Sequence, residues 1–249
     1  MFDRLFGGIF WGKLLSAAGV WIHSIVAAIV VFENTDSALM VGLVSIVQFA
    51  PQLFLSPLSG TWADRGHAAR QILLGRILCV VGSGSLAIWM WVFPEVEGSA
   101  LTISVLLGSL LVGFGFAVGG PAMQSIIPEL IRPGELGTAM VLNTAPMTTA
   151  RIAGPALGAL IAAHFGPAAA FGIAALSHLA FAVIILTIRF PKGHAREAGT
   201  DYSVRAALRY VLTDRPLILL LIGGAAVGFG SEPSLTLGPA MAADRGGGA

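Results

Sequence analysis

The chain has 249 residues, 56% of them apolar and 11% charged, with a net charge of +1 at neutral pH. An average soluble domain carries about 25% charged residues, and a water-soluble globule could not cover this much apolar side chain. The composition therefore excludes a soluble globular fold, the small net charge gives no sign of a nucleic-acid binder, and the single cysteine, Cys79, excludes an intrachain disulfide.

From Leu14 to Phe32 no side chain is formally charged, and six more apolar stretches follow, near 38–59, 72–93, 101–124, 139–163, 168–188 and 216–240. About twenty apolar residues at 1.5 Å each cross a hydrocarbon core of roughly 30 Å as a helix. Seven spans are expected, in an all-α membrane protein. The first reads as a signal anchor rather than a cleaved leader, because it is long and further spans follow. It contains His23, a group that titrates near neutral pH and either takes part in proton coupling or packs through hydrogen bonds.

In span two, Ser45, Gln48, Gln52, Ser56 and Ser59 follow one another at intervals of three or four. That polar face looks into a watery path or bonds to another helix, since lipid would leave its amides unsatisfied. Span four offers Gly108, Gly115 and Gly119, with Ser109 and Gly113, as a surface for close helix approach.

Span five has Ala150, Gly154 and Gly158 four residues apart, with Pro155 removing one backbone donor between the two glycines. The segment is either a hinge or a tightly packed kink. Arg151 sits twelve residues into this span, roughly 18 Å along the helix. A charge there costs at least about 2.5–3.5 kcal/mol on insertion scales. Thr144, Thr148, Arg151 and Pro155 share one face. Arg151 is expected to attract an anionic substrate group, to pair with Glu232 of span seven as a candidate coupling acid, or to make a structural contact.

Of the 14 Lys and Arg residues, 12 are assigned to alternate connections. They are Arg4 and Lys13 before span one; Arg65, Arg70 and Arg76 between spans two and three; Arg132 between four and five; and six between 189 and 215. The intervening connections carry Glu33, Asp36, Glu95 and Glu97 and no basic residue. By the positive-inside rule the amino terminus and the basic connections are cytoplasmic, in a multi-pass membrane protein. The connection at 189–215 has Val204, Leu208, Val211 and Leu212 at helical spacing beside Arg205 and Arg209, which reads as a short amphipathic helix lying on the cytoplasmic leaflet or as a solvated linker helix.

Between spans two and three, Gly60, Asp64, Arg65 and Arg70 fall in a segment that resembles the G-x-x-x-D-R-x-G-x-R-R loop of the major facilitator superfamily. His67 stands at the second glycine, and Ala69 replaces the first basic residue of the closing pair. Gly154-Pro155-Ala156-Leu157-Gly158 resembles the G-P-x-x-G antiporter signature of the same superfamily. Ile127 to Leu130, Gly134 to Leu136 and Gly42 to Pro51 look like its branch of bacterial efflux proteins that includes the enterobactin exporter. The fourth span lacks the arginine that many proton-coupled members carry. The resemblance implies a gating loop at Gly60, Asp64, Arg65 and Arg70, and a secondary active exporter of a small molecule such as a siderophore or drug. Protons are the coupling ion it implies. Candidate substrate and coupling residues are Arg151, His23, Gln48, Gln52, Glu232 and Thr148, with Gly154, Pro155 and Gly158 as the helix hinge.

The expected division is a six-helix bundle at 1–190, a cytoplasmic linker at 191–215 and the first helix of a second bundle at 216–249. Superfamily members have twelve spans in two halves, so the chain reads as a partial transporter that needs a second half or second copy, or as a non-transporting fragment or membrane subunit. No H-E-x-x-H, G-x-S-x-G, Walker loop or Cys/His cluster is present, so no enzyme, cofactor or metal site is expected, and the basic residues are explained by topology rather than nucleic acid.

Overall fold

The computed structural model describes residues 4–63, 68–127, 134–188 and 204–236. Eight helices follow in order: α1 (Arg4–Thr35), α2 (Ala38–Trp62), α3 (Ala68–Val92), α4 (Gly98–Ser125), α5 (Leu136–Phe165), α6 (Pro167–Thr187), α7 (Val204–Thr213) and α8 (Arg215–Thr236).

Sharp breaks separate them. Asp36 adopts a left-handed φ of 49°, a conformation its short polar side chain tolerates, and Ser37 then caps α2 through its hydroxyl on the Met40 amide. Gly166, with φ 83°, ends α5, and Pro167 opens α6 at its first helical position, where the missing N–H is no loss. Asp214 caps α8 by accepting from the Leu217 amide at 3.2 Å, and α7 meets α8 at a bend of 101°.

Helix α3 packs chiefly on α4 and α6, α1 on α5 and α6, and α2 on α4, so the six helices run in space as α2, α4, α3, α6, α1 and α5, with α1 also reaching α2 and α4. Small residues bring the backbones together. A side chain at Gly75 of α3 would meet the backbone of Gly115 and Gly119 on α4, and one at Gly158 of α5 would meet Ile22 and Ile25 of α1. Ala150, with Ala17 and Trp21, continues the α1–α5 contact. The close-packing faces expected of spans four and five are thus occupied by α3 and α1.

Two features differ from the sequence reading. Five helices (α1, α2, α3, α4 and α6) are long and apolar enough to cross a membrane, and α7 with α8 would make a sixth as a bent pair, against seven expected spans. Helix α5 has 30 residues and the length to cross, but its Asn143, Thr144, Thr148, Thr149 and Arg151 make it too polar to stand with the other five. The second difference concerns charge. Lys13 and Arg76 do not lie in connections: they are inside α1 and α3, and Arg76 is 4% exposed. Both helices continue through the charge because neighbouring helices supply acceptors.

Candidate functional site

Most of the polar side chains of the bundle interior lie on α1 or bond to it. Near its start, the Lys13 ammonium donates to both the backbone oxygen and Oδ1 of Asn143 on α5, at 2.7 and 2.6 Å. Asn143 in turn donates through Nδ2 to Oε1 of Gln124 on α4. One turn on, the Ser16 hydroxyl takes a hydrogen bond from the Arg76 guanidinium and lies 2.9 Å from Nδ1 of His178 on α6. Arg76 is flanked by the rings of Phe116 and Phe181, 5.8 and 5.9 Å from their centroids.

Deeper, Trp21 lies under the Arg151 guanidinium, 5.6 Å from ring centroid to carbon. Thr144 and Thr148 occupy the same side of α5 and are exposed; their hydroxyls bond back to carbonyls of their own helix. His23 is fully buried, with Nδ1 3.0 Å from Ser83 Oγ on α3 and Nε2 3.1 Å from Ser109 Oγ on α4, and its ring stands edge-on to Phe171. A neutral imidazole suits this arrangement, one nitrogen donating and the other accepting. Gln48 is buried and exchanges hydrogen bonds with Ser24, donating at 2.7 Å and accepting at 3.0 Å. Its backbone fills the space opposite Gly113 on α4. Gln52, one turn further along α2, is half-buried.

The structure therefore brings Gln48 and His23 into the interior through α1, and sets Arg151 over an α1 ring with Thr148 beside it. Glu232 is on α8, but its side chain lies outside the described residues, as do Asp64 and Arg65 of the loop and the chain at 189–203. At the described ends of that loop, Gly60 is half-buried and Arg70 exposed. The next residue, Gln71, is fully buried and donates to the Ser59 carbonyl and hydroxyl and the Val118 carbonyl, at 2.8, 2.6 and 2.9 Å. It clamps α2, α3 and α4 together beside the loop. At the opposite end of the bundle, Asn34 bonds Gly98 and Thr102, next to a hollow of about 560 Å3 bordered by Glu33, Glu97 and Trp91.

Sequence reasoning missed Lys13, Arg76, Gln71, Gln124 and Asn143. One signal was available: apart from Glu33 in the last turn of α1, helices α1 to α6 contain no acidic residue, while Lys13, Arg76 and Arg151 lie well within them. The interior is thus an apolar core with a set of polar and cationic side chains embedded in it.

A family model described as transmembrane secretion effector matches residues 2–249. The chain is 23% identical over 216 residues to macrolide efflux protein A of Streptococcus pyogenes, covering 85% of this chain and 52% of that protein. It is 26% identical over 223 residues to the enterobactin exporter EntS of Salmonella typhimurium, covering 88% and 52%. It spans about half the length of the curated relatives it matches. Among solved structures it resembles the peptide transporter POT in complex with alafosfalin, with a TM-score of 0.58 and 14% identity over 87% of this chain and 45% of that one. At that identity the likeness speaks for the fold. The match along the whole chain, together with the apolar helical bundle, shows that the chain belongs to the transmembrane secretion effector family of the major facilitator superfamily, a family of transporters rather than enzymes.

Proposed function

We propose that the intact transporter is a secondary active exporter that moves a small molecule, such as a siderophore or a drug, out of the bacterial cell in exchange for protons. The observation that carries this reading is the apolar helical bundle with cationic side chains embedded in it, in a chain whose relatives are named for efflux and export. The relatives are about twice as long, so a second six-helix half, or a second copy, would supply the opposite wall of the path. The domain division is a bundle at 1–190, a linker at 191–215 and the first helix of the next bundle from 216, with the amino terminus cytoplasmic as the alternation of basic connections favours.

Within this reading Arg151, seated over Trp21, attracts an anionic group of the substrate, and Thr148, Gln48 and Gln52 line its path. His23 and Glu232 are the titratable candidates for coupling. The loop from Gly60 through Asp64 and Arg65 to Arg70 gates the cytoplasmic end, and Gly154, Pro155 and Gly158 form the hinge of α5.

Efflux of labelled substrates from energised vesicles tests this. Substrate leaves against its gradient, and a protonophore abolishes the movement. Efflux that is unaffected by the protonophore removes proton coupling, and the absence of transport of any siderophore or drug favours the reading as a fragment or subunit that needs another chain.

A further inference from the structure

We infer that Lys13, Gln124 and Asn143, with Arg76 behind them, form a binding site for the anionic group of an organic solute, a carboxylate, sulfonate or phosphate. The site is distinct from Arg151, and its assignment to the exported solute rests on the transporter reading above.

The hydrogen-bond directions in this cluster are fixed by Lys13, which only donates. Its two contacts are therefore with acceptors, the backbone oxygen and Oδ1 of Asn143. That orients the Asn143 amide, so its Nδ2 must be the donor to Gln124, whose Oε1 accepts. The side-chain acceptors linking the three residues are thus used within the cluster. What remains are donors: the third N–H of Lys13, the second N–H of the Asn143 amide and both N–H groups of the Gln124 amide, for none of which a partner is found among the described residues. Gln124 is exposed, so its two donors are accessible from outside the bundle, with Lys13 half-buried beside them. A group that brings only acceptors completes the arrangement.

Charge points the same way. Arg76 is close enough to Lys13 for the two positive charges to repel, and its buried Nε has no partner among the described residues. Its Nη1 is engaged by Ser16 and its faces by two phenylalanines, so it is held behind the site as a fixed charge. Burying two cations without a carboxylate is unfavourable. Within α1 to α6 the one acidic residue is Glu33, at the other end of α1. An incoming anion relieves the repulsion and meets charge-assisted donors from two helices.

The test uses the full chain in phosphatidylcholine nanodiscs and two fluorescent probes of similar shape, the anion 8-anilinonaphthalene-1-sulfonate and the neutral N-phenyl-1-naphthylamine. Lys13→Gln should weaken the sulfonate by about tenfold and leave the neutral probe within about twofold, the size of one charge-assisted contact. Lys13→Arg should retain most of the affinity. Gln124→Ala, at an exposed position that folding tolerates, should weaken the sulfonate by about threefold. A Lys13→Gln variant that loses both probes equally, or neither, overturns the site. Loss of sulfonate binding in nanodiscs rich in phosphatidylglycerol would make a lipid headgroup the occupant and overturn the assignment to a solute. Because binding is read without a gradient, failure to export anything sinks the transporter reading alone. Export of an anionic solute that is unchanged by Lys13→Gln sinks this one alone.

Discussion

Replacing Gly75 with alanine isolates the backbone contact between α3 and α4. The new Cβ would lie 2.5 Å from the Gly115 carbonyl oxygen and 2.9 and 3.0 Å from the amide nitrogen and Cα of Gly119. Comfortable contact begins at about 3.5 Å. All three atoms are α4 backbone, so no rotamer change relieves the crowding and the helices must separate by about 0.5–1 Å. Overpacking of this kind costs about 1–3 kcal/mol. Gly120→Ala, in α4 one residue beyond Gly119, meets nothing within 4 Å and supplies the control. Each substitution gains about 1 kcal/mol of helix propensity, so the difference between the two variants is the clash alone. At about 2–4 °C per kcal/mol for a chain of this size, Gly75→Ala should melt about 2–12 °C below Gly120→Ala in detergent. Equal melting temperatures would refute the close approach.

Three further outcomes are expected. His23→Leu leaves the Ser83 and Ser109 hydroxyls unpaired in the core and should destabilise the bundle by about 1–3 kcal/mol, read by thermal unfolding; an unchanged melting point would mean the His23 bonds contribute nothing. Gln71→Leu removes the amide that donates to Ser59 and Val118 at the loop end of α2, and amide exchange there should rise by about tenfold or more while the His23 region stays protected; uniform protection across both would contradict a local clamp. Arg151→Ala should reduce export of an anionic substrate by about tenfold, the size of one charge-assisted contact, and normal transport with unaltered pH dependence in folded protein would end its proposed binding role.

Much of the fold was legible because bilayer-spanning helices announce themselves by long apolar runs. Reading spans as charge-free windows was also the source of the main errors. It started the first span at Leu14, although α1 runs back through Lys13 to Arg4, and the positive charge of Arg76 was counted with a connection although the expected span at 72–93, like α3, encloses it. Hydropathy sees the charge but not the acceptor on a neighbouring helix, Asn143 for one and Ser16 for the other. Gly154 and Gly158 were legible for a different reason. A spacing of four sets small residues on one helical face whatever the partner, and the structure supplied only the identity of that partner, α1. The polar stripe of α2 was readable as a stripe, but which member meets Ser24 and which meets Gln71 depends on how α2 crosses α1 and α3, and a single helix does not encode that.

The distribution of contacts along α5 gives the hinge at Pro155 a physical content. Before the proline, α5 is fastened to α1 by directional contacts, Lys13 on Asn143 and Arg151 over Trp21. From 152 to 165, no polar side-chain bond to α1 is found among the described residues, and the contact passes through Gly154 and Gly158, against Trp21, Ile22 and Ile25. The contact there is apolar close packing, in which Ile161 and Ala162 also join the core cluster of Ile22 and Val26. Pro155, whose missing donor weakens one rung of the helix, lies just past the boundary between the two regimes. In the proposed hinge, the half of α5 before Pro155 is the anchored one and the half beyond it is the one that swings. Because the anchored half carries Arg151 and Thr148, such a swing would change access to those side chains while leaving their own positions fixed.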